Sequence, residues 1–286
     1  MPLFCTIEAI ATFHPWKIML DAGKRNILGV NINIIDYEAA VDGIVQAAKA
    51  QQGLSISALA VHGVMTGALD NIHRYRLNHL DLVCPDGQPV RWALNFLYQA
   101  KLRDRVYGPN LTLLTCEKAA EEGLGIFLYG SRREVLEAFS RNLRSRYPKL
   151  KIAGMQPSRF RQTTPEEKQE IVRQIQESGA AITFVGLGCP RQEVWVYEYR
   201  DALSMPLLAV GAAFDFHAGL LPQAPKFLQN IGMEWFFRLI QEPQRLWKRY
   251  ILLNPHYLWL LGLQIFKLRK FDPNTATPPT QEMHYG

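Results

Sequence analysis

From residue 27 to about residue 220 the chain alternates short apolar runs with segments whose apolar residues recur at helical spacing. ILGVNINII (27–35) reads as a strand. Asp36 then caps a helix running to Gln51, with Ala40, Val41, Ile44, Val45 and Ala48 on its apolar face. Further strands are predicted at LSISALAV (54–61), DLVC (81–84), GIFLY (125–129), LKIAG (150–154), AITFVG (181–186) and PLLAVG (206–211), most of them separated by helix-like stretches. Strands that are apolar on both faces and alternate with helices argue for an α/β fold, a parallel sheet covered by helices.

Such sheets bind ligands beyond the carboxyl ends of their strands, where loops and helix N-termini converge. The glycine and polar punctuation falls at those ends: Pro85-Asp86-Gly87, Gly130-Ser131-Arg132, Gly186-Leu187-Gly188 and Gly211-Ala212-Ala213. Four strand ends therefore point to one crevice.

The residues in these turns each admit a plain structural explanation beside a chemical one. Asp86, in a Pro-Asp-Gly turn, is either an Asp chosen for local hydrogen bonding or a carboxylate placed to remove a proton from an incoming hydroxyl. GLGCPRQEVW (186–195) holds Gly186 and Gly188 in a G-x-G that only weakly suggests a dinucleotide site, because Arg191 stands where a third Gly belongs. It does supply a turn into a helix beginning near Pro190, with backbone N–H groups and Arg191 available to an anion. Gln192 and Glu193 fall in the first turn of that helix, where a Glu suits the dipole and could also receive hydroxyls. YGSRRE (129–134) repeats the arrangement, with Gly130 and Ser131 either binding phosphate or simply capping. His62 and His217 read as packed histidines. No D-x-D, H-x-H, HExxH, G-x-S-x-G or Walker sequence occurs, which leaves a metal cofactor, a serine hydrolase or an NTPase without support.

Composition is ordinary for a globular protein at 48% hydrophobic and 20% charged, so 286 residues allow one catalytic core with an appendage. Cys5, Cys84, Cys116 and Cys189 lie far apart without a pairing pattern, the usage expected of reduced thiols in the cytoplasm. Charge changes the picture more. Residues 226–270 hold eight Lys/Arg against two Asp/Glu, and this surplus equals the whole net charge of +6. Trp235, Trp247 and Trp259 lie in the same stretch, and Arg238, Arg245, Lys248 and Arg249 interleave with aromatic and aliphatic residues. Arg238, Arg245 and Arg249 are expected to share one side of a helix despite Pro243. A solvated basic face is the plain reading; a face both cationic and apolar suits an anionic bilayer and a lipid diphosphate better than a nucleic acid. Ile251–Phe266 is too short and too polar to span a bilayer. Expected boundaries are thus a weakly ordered extension at 1–26, a core at 27–229, a helical membrane-associating appendage at 230–270 and a disordered tail at 271–286.

The succession FVGLGCPRQEVW, AVGAAFDFHAG, APKFL and GMEWFFRLIQEPQRLWKRY resembles the WecG/TagA/CpsF family of bacterial glycosyltransferases, glycosyltransferase family 26, over roughly residues 27–255. The resemblance implies a Rossmann-like, mostly parallel sheet flanked by helices. It also implies a cytoplasmic enzyme, peripheral on the inner face of the plasma membrane, that moves a sugar from a UDP-sugar to a polyprenyl-diphosphate-linked sugar in the synthesis of teichoic acid linkage units, enterobacterial common antigen, capsules or exopolysaccharides. Carried over position by position, the candidate base falls on Asp86 in DLVCPDG, and the arginine of the donor diphosphate region on Arg105 in DRVYG. The glutamine of the P-[KR]-Q-E motif falls on Gln192, next to Glu193. The membrane-docking appendage that delivers arginines falls on Glu234 to Tyr250. Two positions depart from the family. A Thr-x-Asn at the sugar pocket is replaced by Ala60-Val61-His62, which puts His62 at the substrate, and Gly-[Ser/Thr]-Asp-Leu becomes Gly108-Pro109-Asn110-Leu111. Transfer of N-acetylmannosamine in particular therefore does not follow.

The expectation for function is an inverting, metal-independent glycosyltransferase with no cofactor. Asp86 takes the acceptor proton, Arg105 and appendage arginines stabilise departing UDP, and Gln192 and Glu193 orient the donor. A non-catalytic nucleotide-sugar or lipid-binding partner of an assembly complex and an NAD-dependent oxidoreductase are the rivals. Monomer and homo-oligomer are both compatible with the sequence.

Overall fold

The computed structural model describes residues 19–286; the first eighteen residues, most of the expected N-terminal extension, lie outside it. The described chain opens with a two-stranded antiparallel hairpin, β1 (Asp21–Ile27) and β2 (Val30–Ile35). The single strand expected at 27–35 is thus interrupted by a two-residue turn in which Leu28 and Gly29 both take positive φ, 54° and 90°. That turn type matches strand twist and is the usual one for a tight hairpin. Strand β1 is polar and mostly exposed, which leaves no apolar period for a sequence reading to find.

Beyond the hairpin come α1 (Tyr37–Lys49), β3 (Leu54–Leu59), α2 (Val61–Leu69), α3 (Asn71–Asn78), β4 (Leu82–Pro85), α4 (Gln88–Tyr98), α5 (Gly108–Glu121) and β5 (Gly125–Gly130). They are followed by α6 (Arg133–Arg146), β6 (Lys151–Gln156), α7 (Pro165–Glu177), β7 (Ile182–Gly186), α8 (Arg191–Tyr199), β8 (Pro206–Ala209) and α9 (Ala213–His217). The chain ends with α10 (Lys226–Asn230), α11 (Glu234–Gln241), α12 (Pro243–Ile265) and a 3-10 turn at Pro273–Thr275. Local chemistry explains several boundaries. Asp36 accepts the Ala39 N–H at 2.9 Å, capping α1 as expected, and Thr164 with Glu167 forms a capping box at α7.

The six strands β3 to β8 form one parallel sheet in the order β4-β3-β8-β7-β5-β6. Apolar side chains on its two faces build two cores. One packs α2, α3, α4, α7 and α8 around Trp195, Tyr199 and Tyr129; the other packs α1, α5, α6 and α9 around Phe139, Phe184 and Phe214. The helix after β8 therefore lies on the opposite face from those after its neighbours β3 and β7, which opens a crevice at the strand ends there. The free edge of β4 is met by the hairpin, where buried Asn33 accepts the Val83 N–H at 2.9 Å. This satisfies an edge donor that would otherwise invite strand addition.

Three expectations for the C-terminal part are corrected. Arg238 and Arg245 do not share a helix, because Glu242 breaks the path and Pro243 starts α12, where its missing N–H costs nothing. The far half of α12 is part of the main core: Tyr257, Leu260 and Leu261 are buried, each burial worth about 1.5–3 kcal/mol. The segment is consequently not a detachable appendage. Residues 271–286, expected to be disordered, hold the 3-10 turn and then run back over the core, with Tyr285 bridging Gln162. Among the described residues no helix is long and apolar enough to cross a membrane.

Candidate functional site

All four strand-end turns meet in one cleft of about 1170 Å³. Its walls include Asp86 and Gly87 after β4, Ser131 and Arg132 after β5, Gly186, Leu187 and Gly188 after β7, and Gly211, Ala212 and Ala213 after β8. His62 enters from the first turn of α2, and Arg191, Gln192 and Glu193 from the first turn of α8. Gly130 is not in the wall. It takes φ +103° where β5 approaches β7 so closely that a Cβ would stand 3.0 Å from the Gly186 backbone, so its role is to let Ser131 reach the rim.

Asp86 sits half-buried at the base of the β4 end. Its Oδ1 accepts the Gly108 N–H at 2.9 Å, tying the Asp turn to the start of α5. Burial raises its pKa, as does nearby Glu234, while Arg105, that hydrogen bond and Arg238 work against the rise; the balance leaves it pushed up to about 6. A carboxyl with a pKa near neutrality can both accept and return a proton at cellular pH.

Arg105 is buried beside it and already partnered. Its Nη2 lies 2.5 Å from Glu234 Oε2 and 3.1 Å from Gln229 Oε1, and its guanidinium carbon stands 4.0 Å above the Tyr107 ring. The Tyr107 hydroxyl donates to the other Glu234 oxygen at 3.0 Å. Glu234, Gln229 and Tyr107 thus complete the Asp86 neighbourhood. Nothing in their spacing announces it, although DRVYG and GMEW mark the two chain segments that meet.

In the first turn of α8, after β7, Gln192 and Glu193 form an ordered pair in the cleft floor. Gln192 Nε2 donates to Glu193 Oε1 at 2.8 Å, the Ser57 hydroxyl donates to the same oxygen at 3.2 Å, and the Gly188 N–H donates to Gln192 Oε1 at 3.2 Å. Both side chains are buried, and burial raises the Glu193 pKa. Gly211, at φ +57°, faces Gln192 so closely that a Cβ would lie 3.2 Å from its Oε1. Gln192 is thereby fixed in the cleft floor, with Glu193 as its support. His217, read as a packed histidine, contacts Pro109 O at 2.8 Å and stacks on Phe139.

The last wall comes from α11 and α12. Trp235, Arg238, Arg245 and Lys248 all line the cleft. Arg238 stands over the Phe216 ring at 5.5 Å and Arg245 pairs with Glu242, while exposed Lys248 lies over Trp247. Trp247 itself is outside the wall and exposed, and the Arg249 side chain lies outside the described residues. Asp215, which the sequence reading did not single out, also lines the cleft, and burial raises its pKa against the pull of Arg132, Arg245 and Arg238. Among the described residues no cluster of three or more His, Cys, Asp or Glu is placed to hold a metal ion.

The family model for the glycosyl transferase WecG/TagA/CpsF family matches residues 25–271. The chain belongs to that family. A WecG/TagA/CpsF protein is a glycosyltransferase of cell-surface polysaccharide synthesis, which accounts for a cleft that is carboxylate-based at one end and rich in cations along one wall. The match begins at Arg25, inside β1, takes in β2, the whole six-stranded sheet and all of α12, and stops short of the C-terminal residues that run back across this WecG/TagA/CpsF core.

Proposed function

We propose that the protein transfers a hexose or N-acetylhexosamine-type sugar from a UDP-sugar to a polyprenyl-diphosphate-linked saccharide, with inversion and without a metal ion. The observation that carries this reading is Asp86, a carboxyl pushed up to about 6, anchored by the Gly108 N–H at the base of a cleft whose neighbouring wall supplies Arg238, Arg245 and Lys248. Asp86 removes the proton from the acceptor hydroxyl as that oxygen attacks the anomeric carbon. The proton ends on the carboxylate and the bond electrons leave with UDP. General base catalysis of this kind contributes typically ~10²–10⁴-fold.

Charge developing on the departing diphosphate is met by Arg238, Arg245 and Lys248 of the α11–α12 wall and by Arg191 at the start of α8. Arg105 fits a positioning role. Shared between Glu234 and the Asp86 neighbourhood, it holds α11 at the reaction centre and supplies the positive charge that keeps Asp86 ionisable.

The lipid end of the acceptor enters from the side of α12. There Trp247, Ile251, Leu252, Leu258 and Trp259 are exposed, while Leu246, Tyr257, Leu260 and Leu261 face inward. An outward apolar stripe beside Lys248 is the pattern of a helix lying at an anionic membrane interface. This supports a peripheral location on the inner face of the plasma membrane.

The test is purified protein incubated with a panel of UDP-sugars and a polyprenyl-diphosphate-sugar, with EDTA, reading UDP release and lipid product by mass spectrometry. Product from one donor supports the reading and names the sugar. UDP binding with no transfer to any acceptor supports a non-catalytic binding partner instead.

A further inference from the structure

The segment beyond the family match is built into the cleft. Glu198, whose side chain is 2% exposed, accepts the backbone N–H groups of Met283 at 2.7 Å and His284 at 3.0 Å. Thr163 donates through both its N–H, at 2.7 Å, and its hydroxyl, at 3.0 Å, to His284 O. Ser158 Oγ donates to a Gly286 oxygen at 2.6 Å, and Lys168 Nζ reaches both Glu282 oxygens at 2.7 Å. A buried carboxylate satisfied by two amides of this strap, residues 282–286, is costly to leave without them, so the core is made to receive the segment. Tyr285 and Gly286 then form part of the cleft wall, with the Arg191 guanidinium carbon 5.7 Å from the Tyr285 ring centroid.

Position along the sheet says which part of a ligand this wall meets. Asp86 follows edge strand β4, whereas the strap packs on the loop after β6, beside Ser131 at the end of β5. Four inter-strand steps separate β4 from β5, roughly 19 Å at about 4.8 Å per step. An elongated donor with its reacting sugar at Asp86 and its diphosphate near Arg191 must place its nucleoside at the opposite end.

We propose that residues 282–286 are the nucleoside wall of the donor pocket, and that the Tyr285 ring contacts the base, making the strap a specificity-determining element that lies beyond the family match. The proposal rests on the UDP-sugar reading above. It is tested by calorimetric titration of the full chain and its Tyr285→Ala and Tyr285→Phe variants with UDP and, separately, inorganic diphosphate. Thermal unfolding and vesicle binding are followed alongside. The expected result is a UDP Kd raised about tenfold or more in Tyr285→Ala, the size of one base–aromatic stack. Tyr285→Phe keeps wild-type affinity, and diphosphate binding is the same in all three. UDP affinity unchanged in a folded Tyr285→Ala overturns the wall, and tighter binding would make the strap an obstruction. An equal loss for diphosphate would show that the ring acts through Arg191 and not on the base. Wild-type protein that binds no UDP overturns the donor reading itself, an outcome distinct from these.

Discussion

Arg105 and Glu234, 129 residues apart, meet at 2.5 Å with side chains 7% and 12% exposed. This contact fastens α11 to the loop that follows α4. Removing one partner of a buried pair leaves the other as an uncompensated charge, at a cost of roughly 3–5 kcal/mol. Arg105→Ala and Glu234→Ala should each lower the urea midpoint strongly, and the double variant should lose far less than the sum of the two. A thermodynamic cycle with additive losses would show the pair to be energetically independent.

Asp86→Asn preserves shape while removing the carboxylate proposed as the base. Turnover should fall by ~10²–10⁴ with UDP affinity little changed, as expected for a group acting on the acceptor proton. Folding should respond in the opposite sense. Burying this carboxylate raises its pKa above the unfolded value, so its ionisation opposes folding at neutral pH, and the amide should stabilise the protein by about 1–3 kcal/mol. Activity lost together with stability would instead point to a structural Asp.

The pH profile carries its own signature. In the proposed mechanism Asp86 acts in its ionised form, so kcat/KM should fall as the pH drops through about 6. Its contribution to stability has the reverse dependence: it is complete below the ordinary carboxylate range and is lost as the pH rises through about 6. Urea unfolding of wild type and Asp86→Asn across pH 4–8 should therefore diverge on the alkaline side. Parallel curves would remove Asp86 as the titrating group.

Membrane binding should reside in the outward stripe of α12. Leu258→Glu with Trp259→Glu replaces two exposed side chains, 63% and 66% accessible, so the fold should survive. Cosedimentation with anionic vesicles should fall several-fold, and activity on lipid-linked acceptors should fall with it, while UDP binding stays intact. Cutting the chain after Gln229 is a poorer experiment, since it also strips Tyr257, Leu260 and Leu261 from the core.

The parallel α/β core was legible because its signals are local. Apolar runs buried on both faces, an Asp before a helix and glycines at strand ends each record a backbone requirement within a few residues. The same locality made Asp86, Gly188, Arg191 and Gln192 visible, since each lies within a few residues of a strand end. Polar β1 was not visible, because a strand paired on one side and exposed to water needs no apolar alternation. Nor could charge counting divide α11 and α12 into one wall facing the cleft and one stripe facing outward.

By itself, then, the sequence determined the alternation of elements, the strand ends that carry the site and the family to which the chain belongs. Tertiary structure alone decided that Arg105 is shared with Glu234, that Glu193 stands behind Gln192, that α12 enters the core and that Tyr285 returns to the cleft. Those relationships join residues far apart in the chain, and no local period encodes them. They arise only when burial brings the partners together and removes the water that would otherwise satisfy their charges and hydrogen bonds.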